Sequence, residues 1–289
     1  MNTSSATDGR LWLPLFALLC GGSVALALLL TLAHSVGMLD WPSAAGLDVA
    51  AWRALFTQRG FWQSLIYSVA LTVITLCLAV ALAVTLFALL GERVRHGWLA
   101  RLLLLPLAVP PVVAALMAFT LLADSGFVSR LTHALGWTAT PADFPSFIFD
   151  PGGRGIVITH LVMVTPLLLL LFDNLATHLR LAALMQQGAA LGANRAQAWR
   201  RIALPLLLRH ARPVLAVYGL ALLGAYELPL LIGAAQPGMV AVTIQRAVAG
   251  YDLAQRPLGY AMASTYFLLM LASWAFLQLR TTRRDGRMP

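Results

Sequence analysis

Six apolar segments, each long enough to cross a lipid bilayer, follow one another along this chain. A transmembrane helix needs about 20 residues, because each residue adds about 1.5 Å of length. Hydrophobic residues make up 60% of the 289 positions and charged residues only 11%, whereas a soluble domain has about 25% charged residues. The segments cover residues 11–33, 64–90, 102–123, 156–172, 214–233 and 258–279. The sequence therefore predicts an all-α polytopic membrane protein with six transmembrane helices.

The first apolar segment is interpreted as a retained transmembrane helix. Arg10 precedes it, as a basic residue often precedes a signal peptide. The segment is nevertheless longer than a signal core of about 7–15 residues, and no clear small-residue cleavage site follows it. We therefore expect an N-terminal part with the first helix and an outer loop (1–60), a main transmembrane domain (61–280) that includes a loop at 184–205, and a cytoplasmic tail (281–289).

The distribution of the arginines predicts the orientation of the chain in the membrane. All 20 basic residues are arginines, and the net charge is +9. If the N-terminus lies inside, the inner segments hold 14 arginines and the outer segments hold 6, as the positive-inside rule requires. Both termini are therefore expected in the cytoplasm. Because no polar domain presents a basic face, membrane topology explains the charge better than nucleic-acid binding does.

A long inner loop, about residues 173–212, contains a short segment between two breaks. From 184 to 205 it reads Leu-Met-Gln-Gln-Gly-Ala-Ala-Leu-Gly-Ala-Asn-Arg-Ala-Gln-Ala-Trp-Arg-Arg-Ile-Ala-Leu-Pro. Gly188 and Gly192 weaken one helix and permit a turn, and Asn194 is an acceptable N-cap. Residues 195–202 can then form two helical turns, which we expect Pro205 to end.

One face of this short helix is apolar. Ala198, Trp199 and Ile202 share it by helical spacing, and arginines flank it. An exposed aromatic and aliphatic pair in a cytoplasmic loop is costly unless something covers it. A protein partner is one cover, and the anionic inner leaflet of the membrane is another.

The same segment resembles the EAA motif, which marks permease subunits of type I ABC importers, the family of binding-protein-dependent transport permeases. The resemblance rests on a glycine, its small neighbour, an aromatic, an aliphatic and a Leu-Pro pair, which are Gly192, Ala193, Trp199, Ile202, Leu204 and Pro205. Gln186 stands where the motif carries its acidic residue, so the charged contact usual in the family is absent here or replaced by an amide hydrogen bond. The resemblance implies a five-helix permease core over about residues 61–279, with the first helix added at the periphery.

The resemblance also implies partners. In that family the loop forms a coupling helix that enters a cleft on an ATP-binding subunit, with Trp199 and Ile202 as buried contacts. We expect an ATPase dimer, a second permease subunit, an extracytoplasmic binding protein and membrane lipid, and no nucleic acid. A different chain is the first candidate for the second permease, and a second copy of this chain is the alternative. The expected location is the bacterial inner membrane, as a multi-pass protein.

No catalytic or cofactor site is expected on this chain. The sequence has no Walker A motif and no Gly-x-Gly-x-x-Gly loop to cradle phosphates. ATP and Mg²⁺ would therefore be used by the partner ATPase, and the chain is expected to be a transporter subunit, not an enzyme. The alternative is a polytopic membrane enzyme, or a scaffold that uses the basic loop to dock a partner.

The fifth apolar segment carries the candidate residues of a transport pathway. Glu227 is interpreted as the one acid well inside an apolar span, between Tyr226 and Pro229, and an intramembrane charge is costly unless it faces a cavity or a partner. The alternatives are a protonated or interfacial glutamate near the outer helix end, or a glutamate paired with an arginine of a second subunit. Residues 226–233 also resemble the fifth span of permeases for polyamines, ferric iron, thiamine and aminoethylphosphonate. This predicts a small charged solute that is polyamine-like, contains an amine, or is ferric iron.

Three further features of the sequence indicate structure or function less specifically. The outer loop at 124–155 is rich in aromatic and turn residues, so we expect a structured surface that either anchors at the membrane interface or docks a partner. Cys20 and Cys77 lie inside apolar segments and are expected to pack in the core. No histidine has a metal-binding spacing, so no metal site is predicted.

Overall fold

The computed structural model describes residues 5–39, 48–91, 97–140 and 143–285. Thirteen α-helices occur in these residues, and no strand does. They are α1 (Ser5–Ser35), α2 (Ala50–Thr57), α3 (Arg59–Leu90), α4 (Gly97–Leu104), α5 (Pro111–Leu122), α6 (Phe127–Ala134), α7 (Arg154–His178), α8 (Leu181–Ala190), α9 (Arg195–Ala198), α10 (Leu204–Leu223), α11 (Glu227–Ile232), α12 (Val240–Ala249) and α13 (Arg256–Asp285). The all-α prediction is confirmed for the described residues.

Six helical runs are long and apolar enough to cross a membrane, as the sequence predicted. They are Pro14–Ser35, Arg59–Leu90, Pro111–Ala134, Arg154–His178, Arg195–Leu223 and Leu253–Phe276. Two of the predicted spans differ from the structure in a way that matters for the site. A break divides the predicted third span, 102–123, and the helix of the predicted fifth span, 214–233, ends earlier than expected.

The break in the third span follows from its prolines. α4 ends at Leu104, a 3₁₀ turn covers Pro106–Ala108, and α5 starts at Pro111. Proline has no N–H to donate and its ring clashes with the preceding turn, so it is tolerated mainly at the start of a helix. Pro110 is extended, with ψ of 147°, and Pro111 opens the new helix.

The fifth span is two helices, so the prediction of one span over 214–233 is wrong in this respect. α10 ends at Leu223, and residues 224–226 separate it from the six-residue helix α11. Pro229 is the reason, because inside a continuous helix it would remove a backbone hydrogen bond. In the first turn of a new helix the missing N–H would have no helical acceptor anyway.

The described residues fall into two compact units. The first comprises those within 1–62 and 243–289. There α1 packs along α13, and the rings of His34 and Tyr260 stack with centroids 4.5 Å apart. Residues 281–285 of the predicted tail are helical, and residues 286–289 lie outside the described part of the chain.

The second unit, residues 63–242, is built around α7. The half of α7 that ends at His178 packs with α3 and α10, mainly through small and aliphatic residues, in a core of Ala79, Ala83, Phe87, Val164, Leu168, Leu169, Phe172, Leu181, Ala203, Leu207 and Ala211. The half that begins at Arg154 packs with α5 and α11 through Ala115, Ala118, Ile156, Val157, Leu228 and Ile232. Small residues let membrane helices approach closely. The segment that resembles the EAA motif and the residues around Glu227 both lie in this unit.

Candidate functional site

The segment that resembles the EAA motif forms an elbow between α8 and α9, near the His178 end of α7. Gly192 follows the last turn of α8 in the left-handed conformation, with φ of 89°. Its N–H donates to the carbonyl of Ala189, and the N–H of Ala193 donates to the carbonyl of Gly188, at 2.9 and 3.0 Å. This pair of bonds is a Schellman motif, which ends a helix at a glycine. Gly192 is therefore required by backbone conformation.

The second side of the elbow is fixed by a capping box. The side chain of Asn194 accepts a hydrogen bond from the N–H of Gln197, at 2.8 Å. The side chain of Gln197 in turn accepts one from the N–H of Asn194, at 3.0 Å. Two otherwise unsatisfied donors of the first turn are thus paired. The prediction of Asn194 as an N-cap is confirmed, and the return bond from Gln197 completes the box.

The apolar face of the segment points into the chain itself, which corrects the expectation that it is exposed. Ala198 is buried, and Trp199 packs against the core with its ring 6.1 Å from that of Phe87. A Cβ added at Gly188 would lie only 2.8 Å from Cδ1 of Ile202. Gly188 therefore lets α8 pack closely on the segment, and the cover for Trp199 and Ile202 is intramolecular.

Pro205 does not end the helix, contrary to the prediction. α9 continues through a π-helical turn, Trp199–Ala203, into α10. The wider turn lies where Pro205 cannot donate to a preceding carbonyl, and such turns often mark functional sites. Leu204 and Pro205 begin α10, so the elbow continues without a break into a helix that extends to Leu223.

The exposed part of the elbow is its tip. Leu191, the last residue before Gly192, is 90% exposed. The polar side chains around it are also exposed, and they are Gln186, Gln187, Asn194, Arg195, Gln197, Arg200 and Arg201. We call Leu191, Gly192 and these residues the elbow tip. Sequence reasoning missed Leu191; the available signal was a lone leucine directly before a helix-ending glycine.

Glu227 lies at the start of α11 instead of inside a continuous span. Its side chain is exposed, whereas Tyr226 is half-buried and Pro229 is buried. A carboxylate in the first turn of a helix is favoured by the helix dipole. The exposed carboxylate is also available to a second subunit or to a solute at the surface of this unit.

A structured loop covers the Arg154 end of α7, as the sequence predicted. The N–H of Phe149 donates to the carbonyl of Ile232, at 2.9 Å, which ties the loop to the end of α11. Asp150 caps α7 by accepting from the N–H of Arg154, at 3.1 Å. Its two carboxylate oxygens also accept from the guanidinium of Arg154, at 3.0 and 2.9 Å. We call the pair Asp150–Arg154 the clasp.

The clasp gives this loop a defined response to acid. The hydrogen bonds from Arg154 hold the pKa of Asp150 at about 2, below its usual 3.8. A lowered pKa stabilises the folded chain above about pH 3.8, and this stability is lost as the pH falls toward about 2. We expect Asp150→Asn to lower the stability of the purified chain at neutral pH by about 1 kcal/mol, the difference between charge-assisted and neutral hydrogen bonds. Thermal unfolding against pH measures both effects.

Asp124→Asn is the matched control for this prediction, because Asp124 is an exposed aspartate in the same loop. Its unfolding curve should follow that of the wild type at every pH. If the Asp150→Asn variant and the wild type lose stability in parallel in acid, the clasp does not contribute.

Metal ligands do not converge in the described residues. No group of three or more histidine, cysteine, aspartate or glutamate side chains that could hold a metal ion occurs there. Cys20 and Cys77 are free thiols on the surface of the chain, so the prediction that they pack in the core is wrong. Both lie on membrane-spanning helices, where an apolar side chain can face lipid.

The chain is similar in sequence to part of a known permease. No protein-family model matches it. It is 30% identical over 187 residues to the thiamine transport system permease protein ThiP of Brucella abortus strain 2308, which is 63% of this chain and 31% of that protein. With ThiP of Brucella suis biovar 1 the identity is 31% over 160 residues, or 55% of this chain and 26% of that protein. The chain thus spans about a third of the length of these relatives.

The fold is similar to that of one chain in crystal structures of a bacterial ABC importer. The chain superimposes with a TM-score of 0.72 on the crystal structure of a bacterial ABC transporter involved in the import of the acidic polysaccharide alginate, at 17% identity, covering 96% of this chain and 95% of that one. For the alginate transporter in complex with its alginate pentasaccharide-bound periplasmic protein, the TM-score is 0.66 at 18% identity, with 99% of each chain covered. The resemblance to type I ABC importer permeases, and to the group that includes thiamine permeases, is confirmed. With its six apolar helices, the chain is a multi-pass protein of the bacterial inner membrane.

Proposed function

We propose that this chain is a permease subunit of an ATP-driven importer. It forms half of the path for a small charged solute, which a binding protein delivers and a separate ATPase drives. The elbow tip is the observation that carries the proposal: an exposed leucine on a turn that is fixed on both sides by backbone and side-chain hydrogen bonds. The likeness to ThiP and to alginate importers supports the same class.

The elbow tip is the surface that docks on the ATPase and acts as the coupling helix of the EAA motif. Trp199 and Ile202, predicted as direct contacts, hold the elbow against its own core and position the tip. Leu191 then takes the role of the apolar contact, with Gln186 beside it as a neutral hydrogen-bonding residue. An exposed apolar side chain within a ring of polar side chains matches the apolar centre and polar rim of a protein interface.

Coupling requires that a movement of the tip reach the membrane part of the chain. The helical run Arg195–Leu223 begins at the tip and is one of the membrane spans. Because a packed helix moves as a unit, displacement of the tip by ATP-dependent closure of the ATPases displaces α10 as a lever. ATP and Mg²⁺ act in that partner, and both termini lie on its side of the membrane. Fusions of a fluorescent and a periplasm-active reporter to each terminus test the orientation.

The path is completed by a second permease subunit, for which a different chain is the preferred candidate. Glu227 is exposed on the unit of residues 63–242, which would face this second subunit. The relatives are named for thiamine and the structural neighbours for alginate, so the class of solute rests on Glu227. A lone carboxylate attracts a cation, and we assign a solute with an amine or other positive charge, with Glu227, Tyr226 and Pro229 along its route.

Glu227→Gln tests the solute assignment. We expect uptake of a cationic solute, assayed with labelled thiamine and labelled spermidine in cells, to fall about tenfold, which corresponds to about 1.4 kcal/mol. Glu227→Asp keeps the charge and should keep most of the uptake. Wild-type uptake and wild-type pH dependence in the glutamine variant would show that Glu227 has no part in the route.

Mass spectrometry of the proteins that co-purify with the tagged chain in mild detergent tests the function itself. We expect an ATPase and a solute-binding protein with the wild type. Leu191→Ser should lose most of the ATPase, because the apolar anchor of the tip is removed. Leu253→Ser is the matched control, since Leu253 is 61% exposed and lies outside the elbow tip; it should keep both partners.

The outcomes separate the function from the site. If the ATPase is recovered equally with all three proteins, the chain is an importer subunit but Leu191 is not its anchor. If none of the three recovers an ATPase or a binding protein, the importer assignment is wrong, and a scaffold or membrane enzyme takes its place.

A further inference from the structure

Helix α6, in the loop between α5 and α7, has its apolar side chains on the outside. Phe127, Leu131 and Leu135 are 58%, 45% and 54% exposed, and their spacing of four residues places them in one stripe. Trp137, two residues beyond, is 76% exposed. In a water-soluble protein such a stripe would face the core.

Two polar side chains of α6 point inward, away from the stripe. Ser129 is fully buried and Thr132 is half-buried, while α6 packs against α5. The exposed apolar stripe and the buried serine are therefore the reverse of the pattern expected at a surface in water. A helix with this arrangement is stable where its outer surroundings are less polar than water.

Trp137 is held in place by the end of the helix. Gly136 is left-handed, with φ of 72°. Its N–H donates to the carbonyl of His133, and the N–H of Trp137 donates to that of Thr132, both at 2.9 Å. These bonds form a second Schellman motif. The tryptophan is thus exposed although its backbone is fixed.

The start of α6 is tied to a membrane span. Only four residues separate it from α5, and the N–H of Gly126 donates to the carbonyl of Ala123, at 2.7 Å. A Cβ at Gly126 would lie 2.7 Å from the carbonyl oxygen of Leu121, so the glycine allows a tight reversal. Because this short turn joins α6 directly to α5, whose apolar residues begin the candidate span Pro111–Ala134, α6 cannot move far from the end of α5.

We propose that α6 and Trp137 lie in the membrane–water interface, with the stripe of Phe127, Leu131 and Leu135 in contact with lipid. The lipid is favoured over a protein partner because the stripe is continuous with a membrane span through a short, hydrogen-bonded turn. Tryptophan prefers this interface, where its ring is in a mixed environment. Exposed Arg130 and His133 on α6 are suited to the headgroup level. The helix would fix the depth of the loop that carries the clasp.

Spin labels at single cysteines in α6 test the proposal. Cys20→Ala and Cys77→Ala remove the native thiols, and a label is placed at Leu131→Cys in the full chain. The chain is reconstituted alone into vesicles of three parts phosphatidylethanolamine to one part phosphatidylglycerol. Collision rates with oxygen, which concentrates in lipid, and with a water-soluble nickel chelate are measured by electron paramagnetic resonance. The control label is placed at Ala139→Cys, because Ala139 is exposed and lies beyond Trp137.

We expect a higher collision rate with oxygen than with nickel at position 131, and the reverse at 139. A label at Thr132→Cys should collide little with either reagent, which verifies that α6 has kept its packing. If position 131 collides mainly with nickel while 132 stays protected, the stripe faces water in the membrane-bound chain. The lipid proposal is then wrong, and a protein partner is the cover. The result is independent of whether the chain transports a solute.

Discussion

Gly155→Ala is expected to destabilise the chain more than any other glycine-to-alanine substitution near the Arg154 end of α7. A Cβ at this position would collide with the carbonyl oxygen of Phe147, to which the N–H of Gly155 already donates at 3.1 Å. Backbone cannot move aside as the end of a flexible side chain can. We expect a loss of about 1–3 kcal/mol, the cost of overpacking a close contact, measured by thermal unfolding in detergent.

The loss should extend to transport. The same loop is tied to the end of α11 by Phe149 and Ile232, so its displacement releases α11, where Glu227 lies. Gly219→Ala is the matched control, because Gly219 lies in α10 and an added Cβ would meet only Leu76, at an ordinary 3.5 Å. That variant should be neutral or slightly stabilised, since alanine is the better helix former. Equal stability of both variants would contradict the close packing at Gly155.

Local rules predicted most of the fold. Hydrophobic length alone predicted the six spans, and proline chemistry explains the break that the structure shows at Pro106 and Pro110. The N-cap at Asn194 and the turn at Gly192 also follow from residue type, because capping and positive φ are properties of a few neighbouring residues. The cap and the turn depend only on interactions between neighbouring residues.

Tertiary packing decided the features that the sequence did not predict. Helical spacing placed Trp199 and Ile202 on one face but could not tell which side of the chain that face meets. In the structure this face packs on Phe87 and Gly188. Phe87 is distant in sequence, and Gly188 has the properties of a simple helix breaker, so neither could be recognised as a contact. The exposure of Leu191 follows from that choice, since the opposite side of the elbow must then face outward.

Glu227 was predicted to lie inside a membrane span because the sequence was interpreted as one continuous helix at this point. Glu227 read as buried because residues 214–233 have no strong break other than Gly224 and Pro229. The chain uses both, ends α10 and restarts at Glu227, which places the carboxylate on a first helical turn. Hydropathy averages over such a break, so it identifies a span but not a helix end inside it.

Gly192→Asp is expected to abolish most uptake while the chain remains inserted in the membrane. Gly192 is exposed, and within this chain a Cβ there would meet nothing within 4 Å. The carboxylate would therefore act on a docked partner, where an unpaired charge is costly to desolvate. The left-handed backbone, with φ of 89°, adds strain of roughly 1–2 kcal/mol for any side chain. Uptake, ATP hydrolysis and membrane content of the variant are the measurements.

Gly192→Asn separates the two causes. Asparagine places the same strain on the elbow, or slightly less because it tolerates the left-handed conformation, but it adds no charge. If the docking proposal is right, the asparagine variant keeps a substantial part of the uptake and of ATPase recovery, and the aspartate variant loses both. Equal loss in the two variants would instead show that the defect arises from strain in the Schellman motif. Normal uptake in the aspartate variant would show that the elbow tip has no part in coupling. The elbow continues directly into α10. A rigid turn and a docked tip are therefore both needed for movement of the ATPase to reach the membrane.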